Sequence, residues 1–163
     1  MLVGAPHTSN WDFVLMLALA WRLRIHIHWL GKHSLFVGWR GPIMRALGGI
    51  PVDRADPSRI VAEVVQRVQA GEEFGLVVTP DGTRSGNTHW KSGFYRIARQ
   101  AGIPVTLGYV DGPTRTAGLG PTFDLTGEVA ADMDRIREFY ADKRGVHPEQ
   151  RVEPRLREED QGD

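Results

Sequence analysis

The sequence predicts an α/β fold: a single domain with a mixed, largely parallel sheet flanked by helices. Short apolar runs alternate with segments of helical periodicity along most of the 163 residues, the pattern of strand–helix–strand units. A chain of this length holds one domain with a sizeable core. Its 41% apolar and 25% charged residues are the balance of a globular protein.

In order, Met1 to Ala5 reads as the end of a buried strand, and His7 to Asn10 as a loop. Ser9 or Asn10 is a natural N-cap for a helix from Trp11 to about Leu23, with Asp12 in its first turn. Arg24 to Leu30 alternates, Ile25, Ile27 and Trp29 sharing a face, which predicts a strand. Pro42 to Leu47 is a short helix stopped by Gly48-Gly49. Ile50 to Arg54 follows as a short strand or extended loop, where Pro51 argues against a central position. Ser58 caps a helix to about Ala70, with Ile60, Val61, Val64, Val65 and Val68 at helical spacing. Phe74 to Thr79 is a buried strand, Pro80 to Gly86 a loop, Ser92 to Ala101 a helix, and Val105 to Val110 another strand. Phe123 to Leu125 suits an edge strand, and Ala130 to about Lys143 the last helix. The domain is thus expected over residues 1–144, with 145–163, charged and poor in apolar residues, as a disordered tail.

Twenty basic and 20 acidic residues cancel, against broad nucleic-acid binding, which needs a basic surface. The absence of cysteine excludes disulfides, thiolate metal sites and a cysteine nucleophile. No stretch reaches the roughly 18–20 apolar residues of a membrane span. With six residues before His7, the sequence reads as one that begins inside a longer protein.

Three constellations carry chemistry. His7 and Asp12 frame the start of the first helix, where a loop can bring imidazole and carboxylate together as a base and its orienter; a capping aspartate beside a bystander histidine is the alternative. Gly48-Gly49 followed by Arg54 offers either a close backbone approach with a guanidinium beyond it, or a helix stop and a surface salt bridge. Thr79 to Ser85 ends a buried strand in a loop of amides, hydroxyls and the Arg84 guanidinium, which suits a phosphate, and equally a polar turn. It is not a Walker loop, and no Gly-x-Ser-x-Gly elbow supplies a serine nucleophile.

In order and spacing these blocks resemble the glycerolipid acyltransferases typified by 1-acyl-glycerol-3-phosphate acyltransferase (PlsC-type). The family's H-x-x-x-x-D matches His7 and Asp12; its apolar-Gly-Gly segment ending in Arg matches Gly48, Gly49, Ile50 and Arg54. Its Pro-Glu-Gly-Thr-Arg-Ser matches Pro80, Gly82, Thr83, Arg84 and Ser85, with Asp81 in place of Glu. The following Lys-x-Gly matches Lys91 and Gly93, and the strand opening with Pro matches Pro104. The resemblance implies an acyltransferase-like α/β fold and transfer of a fatty acyl group from acyl-CoA or acyl carrier protein to a lysophospholipid-like hydroxyl, lysophosphatidate first, in phospholipid biosynthesis. It implies His7 and Asp12 as the catalytic pair. Arg54 and Arg84 would hold the acceptor's phosphate in a pocket shaped by Gly82, Thr83 and Ser85, with Lys91 as a further charge. Thr8 and Asn10 are candidate donors to the developing oxyanion. No metal and no cofactor beyond the acyl donor is implied, and the expected location is the cytoplasm, peripheral at the membrane's inner face.

Rival readings are a thioester or phosphoester hydrolase using the same base on water, and a non-catalytic lipid- or CoA-binding remnant. His26 and His28 share a strand face without a third ligand nearby, which reads as a solvated face. Of Trp11, Trp21, Trp29, Trp39 and Trp90, most are expected in the core. Trp39, beside Phe36, Val37 and Arg40, is a candidate for a membrane interface.

Overall fold

The computed structural model describes residues 1–5, 7–52, 57–72, 75–81 and 88–161. Six strands form one sheet in the order β3-β2-β4-β1-β5-β6. Strand β1 (Leu2–Ala5) lies at its centre, parallel to β4 (Gly75–Val78) on one side and β5 (Val105–Asp111) on the other. Strand β2 (Ile27–Lys32) runs parallel to both β4 and the edge strand β3 (Gly49–Val52). At the other edge β6 (Thr116–Phe123) is antiparallel to β5. The sheet is therefore mixed and largely parallel, flanked by helices, as the sequence predicts. Among the described residues no helix is long and apolar enough to cross a membrane.

Alternation along the strands decides which helix covers which face. Leu76 of β4 packs with Val61 and Val64 of α3 (Pro57–Gln69) and Ile97 of α4 (Gly93–Ala101). Its neighbour Val77 points the other way and packs with Trp29 and Phe36, beside Phe13 and Met16 of α1 (Asn10–Arg22) and Met44 of α2 (Arg40–Ala46). Val3, Val105 and Leu107 meet Phe94 of α4 and Met133, Ile136 and Tyr140 of α5 (Val129–Tyr140). The Tyr140 hydroxyl lies 2.9 Å from the Val3 carbonyl and 2.8 Å from that of Gly108, tying α5 to both strands.

Pro51 is tolerated because β3 is an edge strand. Gly48 takes φ +82°, and a Cβ there would come within 2.2 Å of the Ile27 carbonyl. One at Gly49 would come within 2.7 Å of the Met44 carbonyl and the Phe36 ring. The glycine pair thus serves the turn from α2 into β3.

Several expectations are corrected. Strand β2 begins at Ile27, not Arg24, because α1 ends in a turn through Arg24, which has φ +55°. The last strand is eight residues long, Thr116–Phe123, and ends on Phe123, where the expected one begins. Gly118, Gly120 and Pro121 hide its periodicity. Only Trp29 and Trp90 are buried; Trp11, Trp21 and Trp39 are 67%, 86% and 75% exposed.

The segment after Gly145 is ordered as far as the described residues reach. It forms a strap with 3-10 turns at Pro148–Gln150 and Arg157–Gln161. Leu156 is 1% exposed in the core, the Trp90 amide donates to the Arg155 carbonyl, and Arg137 holds both the Pro154 carbonyl and Glu159. One apolar anchor and charges that pair with the body bind a segment whose composition alone resembles disorder.

Candidate active site

The site begins with the way α1 starts. Ser9 is the N-cap and Asp12 the third helical residue, and together they form a capping box. Asp12 Oδ2 accepts the Ser9 and Thr8 amides, each at 2.7 Å. This folds the loop back over the helix start and sets His7 Nδ1 3.6 Å from the same oxygen. At that distance the contact is an ion-pair separation rather than a formed hydrogen bond; catalytic hydrogen bonds are often long before substrate closes the site. Asp12 is 7% exposed and His7 22%, so the carboxylate is enclosed while the imidazole reaches solvent. Asp12 Oδ1 is buried and accepts no hydrogen bond among the described residues.

A second carboxylate, not assigned to this loop by the sequence, braces it from the neighbouring strand. Because β1 and β4 are adjacent, the turns at their carboxyl ends meet, as functional loops do in open parallel sheets. The His7 amide donates to Asp81 Oδ2. Burial pushes the Asp81 carboxyl up to about 6; the His7 amide pulls the other way, and the Asp12 charge adds to the rise. The loop is thus held at three successive amides, His7 by Asp81 and Thr8 and Ser9 by Asp12. Sequence spacing gives no signal for the Asp81 contact, which depends on strand order.

Thr8 is corrected as an oxyanion donor. It is 1% exposed, its amide is bound to Asp12, and its hydroxyl accepts the His147 amide of the strap at 2.9 Å. It is a packed support of the loop.

His7 and Asp12 open onto a cleft of about 1570 Å³. Its walls are mostly apolar, among them Phe13 and Met16 of α1, Leu30 of β2 and Val78 of β4. Its floor includes Gly4, where a Cβ would meet no atom within 4 Å. Lys91 is exposed on the cleft wall, its amide donating to the Pro80 carbonyl at 2.8 Å. The structure therefore brings His7, Asp12 and Lys91 to one cleft. Arg54, Gly82, Thr83, Arg84 and Ser85 lie outside the described residues, and of Asn10 only the backbone is described. Among the described residues no group of three His, Asp or Glu side chains is placed to hold a metal ion. His28 is held below the usual histidine range by burial first and then by Arg67.

The chemistry this arrangement supports is base catalysis beside an apolar channel. The imidazole can accept a proton from a hydroxyl, and the enclosed carboxylate favours the imidazolium that forms.

A family model described as Acyltransferase matches residues 1–107. The 1-acyl-sn-glycerol-3-phosphate acyltransferase of Streptococcus pneumoniae (strain ATCC BAA-255 / R6) is 30% identical over 122 residues, which are 72% of this chain and 44% of that protein. The chain thus spans less than half the length of this curated relative. No solved structure is significantly similar to it.

Proposed function

Since this chain belongs to the acyltransferase family, we propose that it moves a fatty acyl group from a thioester, acyl-CoA or acyl carrier protein, to the hydroxyl of a lysophospholipid-like acceptor, with lysophosphatidate the first candidate. The observation that carries this reading is the His7 imidazole, 3.6 Å from Asp12, at the mouth of an apolar cleft. Neutral His7 takes the proton of the acceptor hydroxyl as its oxygen adds to the thioester carbonyl. Asp12 holds the imidazolium. The tetrahedral intermediate then collapses, the C–S bond breaks, and His7 returns the proton to the departing thiolate, leaving an ester and a free thiol. No covalent acyl-enzyme is needed.

The cleft takes the acyl chain, each buried methylene contributing about 0.8 kcal/mol. Arg54 and Arg84 hold the acceptor's phosphate, with Gly82, Thr83 and Ser85 shaping the pocket and Lys91 adding charge from the cleft wall. Clamps of this kind lower the barrier by fixing orientation. The acceptor is a lipid, so the chain works peripherally at the inner face of a membrane.

The test is thiol release from acyl-CoA with lysophosphatidate. His7→Ala should lower turnover by about two to four powers of ten, the scale of general-base loss. Arg84→Ala should chiefly raise the KM for the acceptor. Wild-type turnover in His7→Ala sinks the mechanism, and thiol release that needs no acceptor replaces it with hydrolysis.

A further inference from the structure

Three of the five tryptophans stand in solvent, on two elements with a common anchorage. Helix α1 shows an outward stripe of Trp11, Val14, Ala18 and Trp21, spaced three and four apart. The turn into α2 and its first residues add Val37, Trp39 and Ile43, which are 61%, 75% and 47% exposed. Phe13 of α1 and Phe36 before α2 both pack on Trp29, with ring centroids 4.7 and 5.8 Å away. Both exposed sets therefore lie on the same side of the sheet. Apolar surface of this kind on a globular chain marks a contact face.

Charge decides what it contacts. Between Phe13 and Val52 the sequence holds five Lys or Arg residues, Arg22, Arg24, Lys32, Arg40 and Arg45, and no Asp or Glu. The rest of the chain holds the other 15 basic and all 20 acidic residues, so zero net charge conceals a +5 region against a −5 remainder. All five cations are exposed, and among the described residues none joins an ion pair. A twofold contact with a second copy would set these cations against themselves. Tryptophans among exposed cations, with Arg40 over the Trp39 ring and Arg45 over that of Phe36, match a layer of lipid headgroups bearing negative charge. The face is also continuous with the cleft, since Val14, Leu15 and Leu35 are exposed and line it as well.

We propose that this face of α1 and α2 docks on an anionic lipid bilayer, with Trp11, Trp21 and Trp39 at headgroup depth and the cleft mouth held against the lipid. Docking itself rests on the exposed side chains and charges; its purpose, access of a lipid to the cleft, rests on the acyltransferase reading.

The experiment is flotation of the full chain with vesicles of phosphatidylcholine alone, or with about one third phosphatidylglycerol, the charge that draws cationic surfaces. The wild type should float with the anionic vesicles and release with added salt. Arg22→Gln with Arg40→Gln should weaken partition by about 25-fold, roughly fivefold per cation. Trp21→Ser with Trp39→Ser should weaken it at least about tenfold, while circular dichroism and turnover of short-chain, water-soluble substrates stay at wild-type values. The proposal is overturned if the wild type does not float, if the tryptophan variant floats equally, or if the wild type forms a dimer that this variant abolishes. A chain that turns over soluble substrates without floating refutes the surface alone. A chain that floats in a tryptophan-dependent way without turnover supports the surface and refutes the reaction.

Discussion

Replacing Asp81 with asparagine keeps an oxygen to accept the His7 amide and removes the ionisable proton. Burial raises this carboxyl from the ordinary 3.8 to about 6 in the folded chain. Between about pH 4 and pH 6 the native state binds more protons than the unfolded state, so stability falls as pH rises through this window. The contribution is fully present below about pH 4 and lost above about pH 6. A shift of about two units corresponds to about 3 kcal/mol at 1.36 kcal/mol per unit. The asparagine variant escapes that loss. The neutral amide oxygen is a weaker acceptor for the His7 N–H than a carboxylate, at a cost of about 1 kcal/mol, so the net gain above pH 6 is about 1–2 kcal/mol. Urea unfolding of both proteins at steps from about pH 4 to pH 8 reads the difference directly. Titrating groups remote from Asp81 cancel when the two profiles are subtracted; Asp12, whose charge adds to the rise at Asp81, stays in the difference. Parallel profiles through the window, or a variant less stable than wild type at neutral pH, would refute the reasoning.

Leu156→Ala should cost about 2–5 kcal/mol, the range for a truncated core leucine, and should open residues 145–161 to limited proteolysis. A change below about 0.5 kcal/mol, typical of surface positions, would show that the strap is not part of the core. Gly49→Ala places a Cβ within 2.7 Å of the Met44 carbonyl and the Phe36 ring. The displacement should cost about 1–3 kcal/mol and alter the near-ultraviolet signal of the Trp29–Phe36 pair; an unperturbed melt and spectrum would refute the close approach.

What could be read in the sequence, and what could not, follows from the range of the interactions. The start of α1 was legible because a capping box is local: Ser9 and Asp12 are three residues apart, and the physics that joins them also carries His7 toward the carboxylate. The parallel strands were legible from apolar runs buried on both faces, such as Leu76 and Val77. Strand β6 was not, since its pairing with β5 supplies the order that Gly118, Gly120 and Pro121 withhold locally. The strap was misread because Arg137 and Glu159, far apart in the chain, convert charge from a sign of solvation into a fastening. Trp11 and Trp21 were misplaced because an apolar sequence does not say which side of a helix meets the sheet. Asp81 stood at the family's acidic position, but its bond to His7 needed the order of β1 and β4. The arginine and hydroxyl positions of the phosphate pocket rest on the resemblance, since they lie outside the described residues.

Strand β1 has a consequence for synthesis. It pairs Leu2 with Val77 and with Thr106, and the loop that follows it receives a hydrogen bond from a residue 139 positions later. At roughly 5–20 residues per second, the central strand emerges about 5–20 s before its second neighbour exists. For the first part of that interval, until β4 and its Val77 have been made, α1, apolar on most sides, lacks the strands it packs on. Ribosome-bound chains therefore carry α1 before the strands it covers, and the His7 loop reaches its final shape only after the strap has been made.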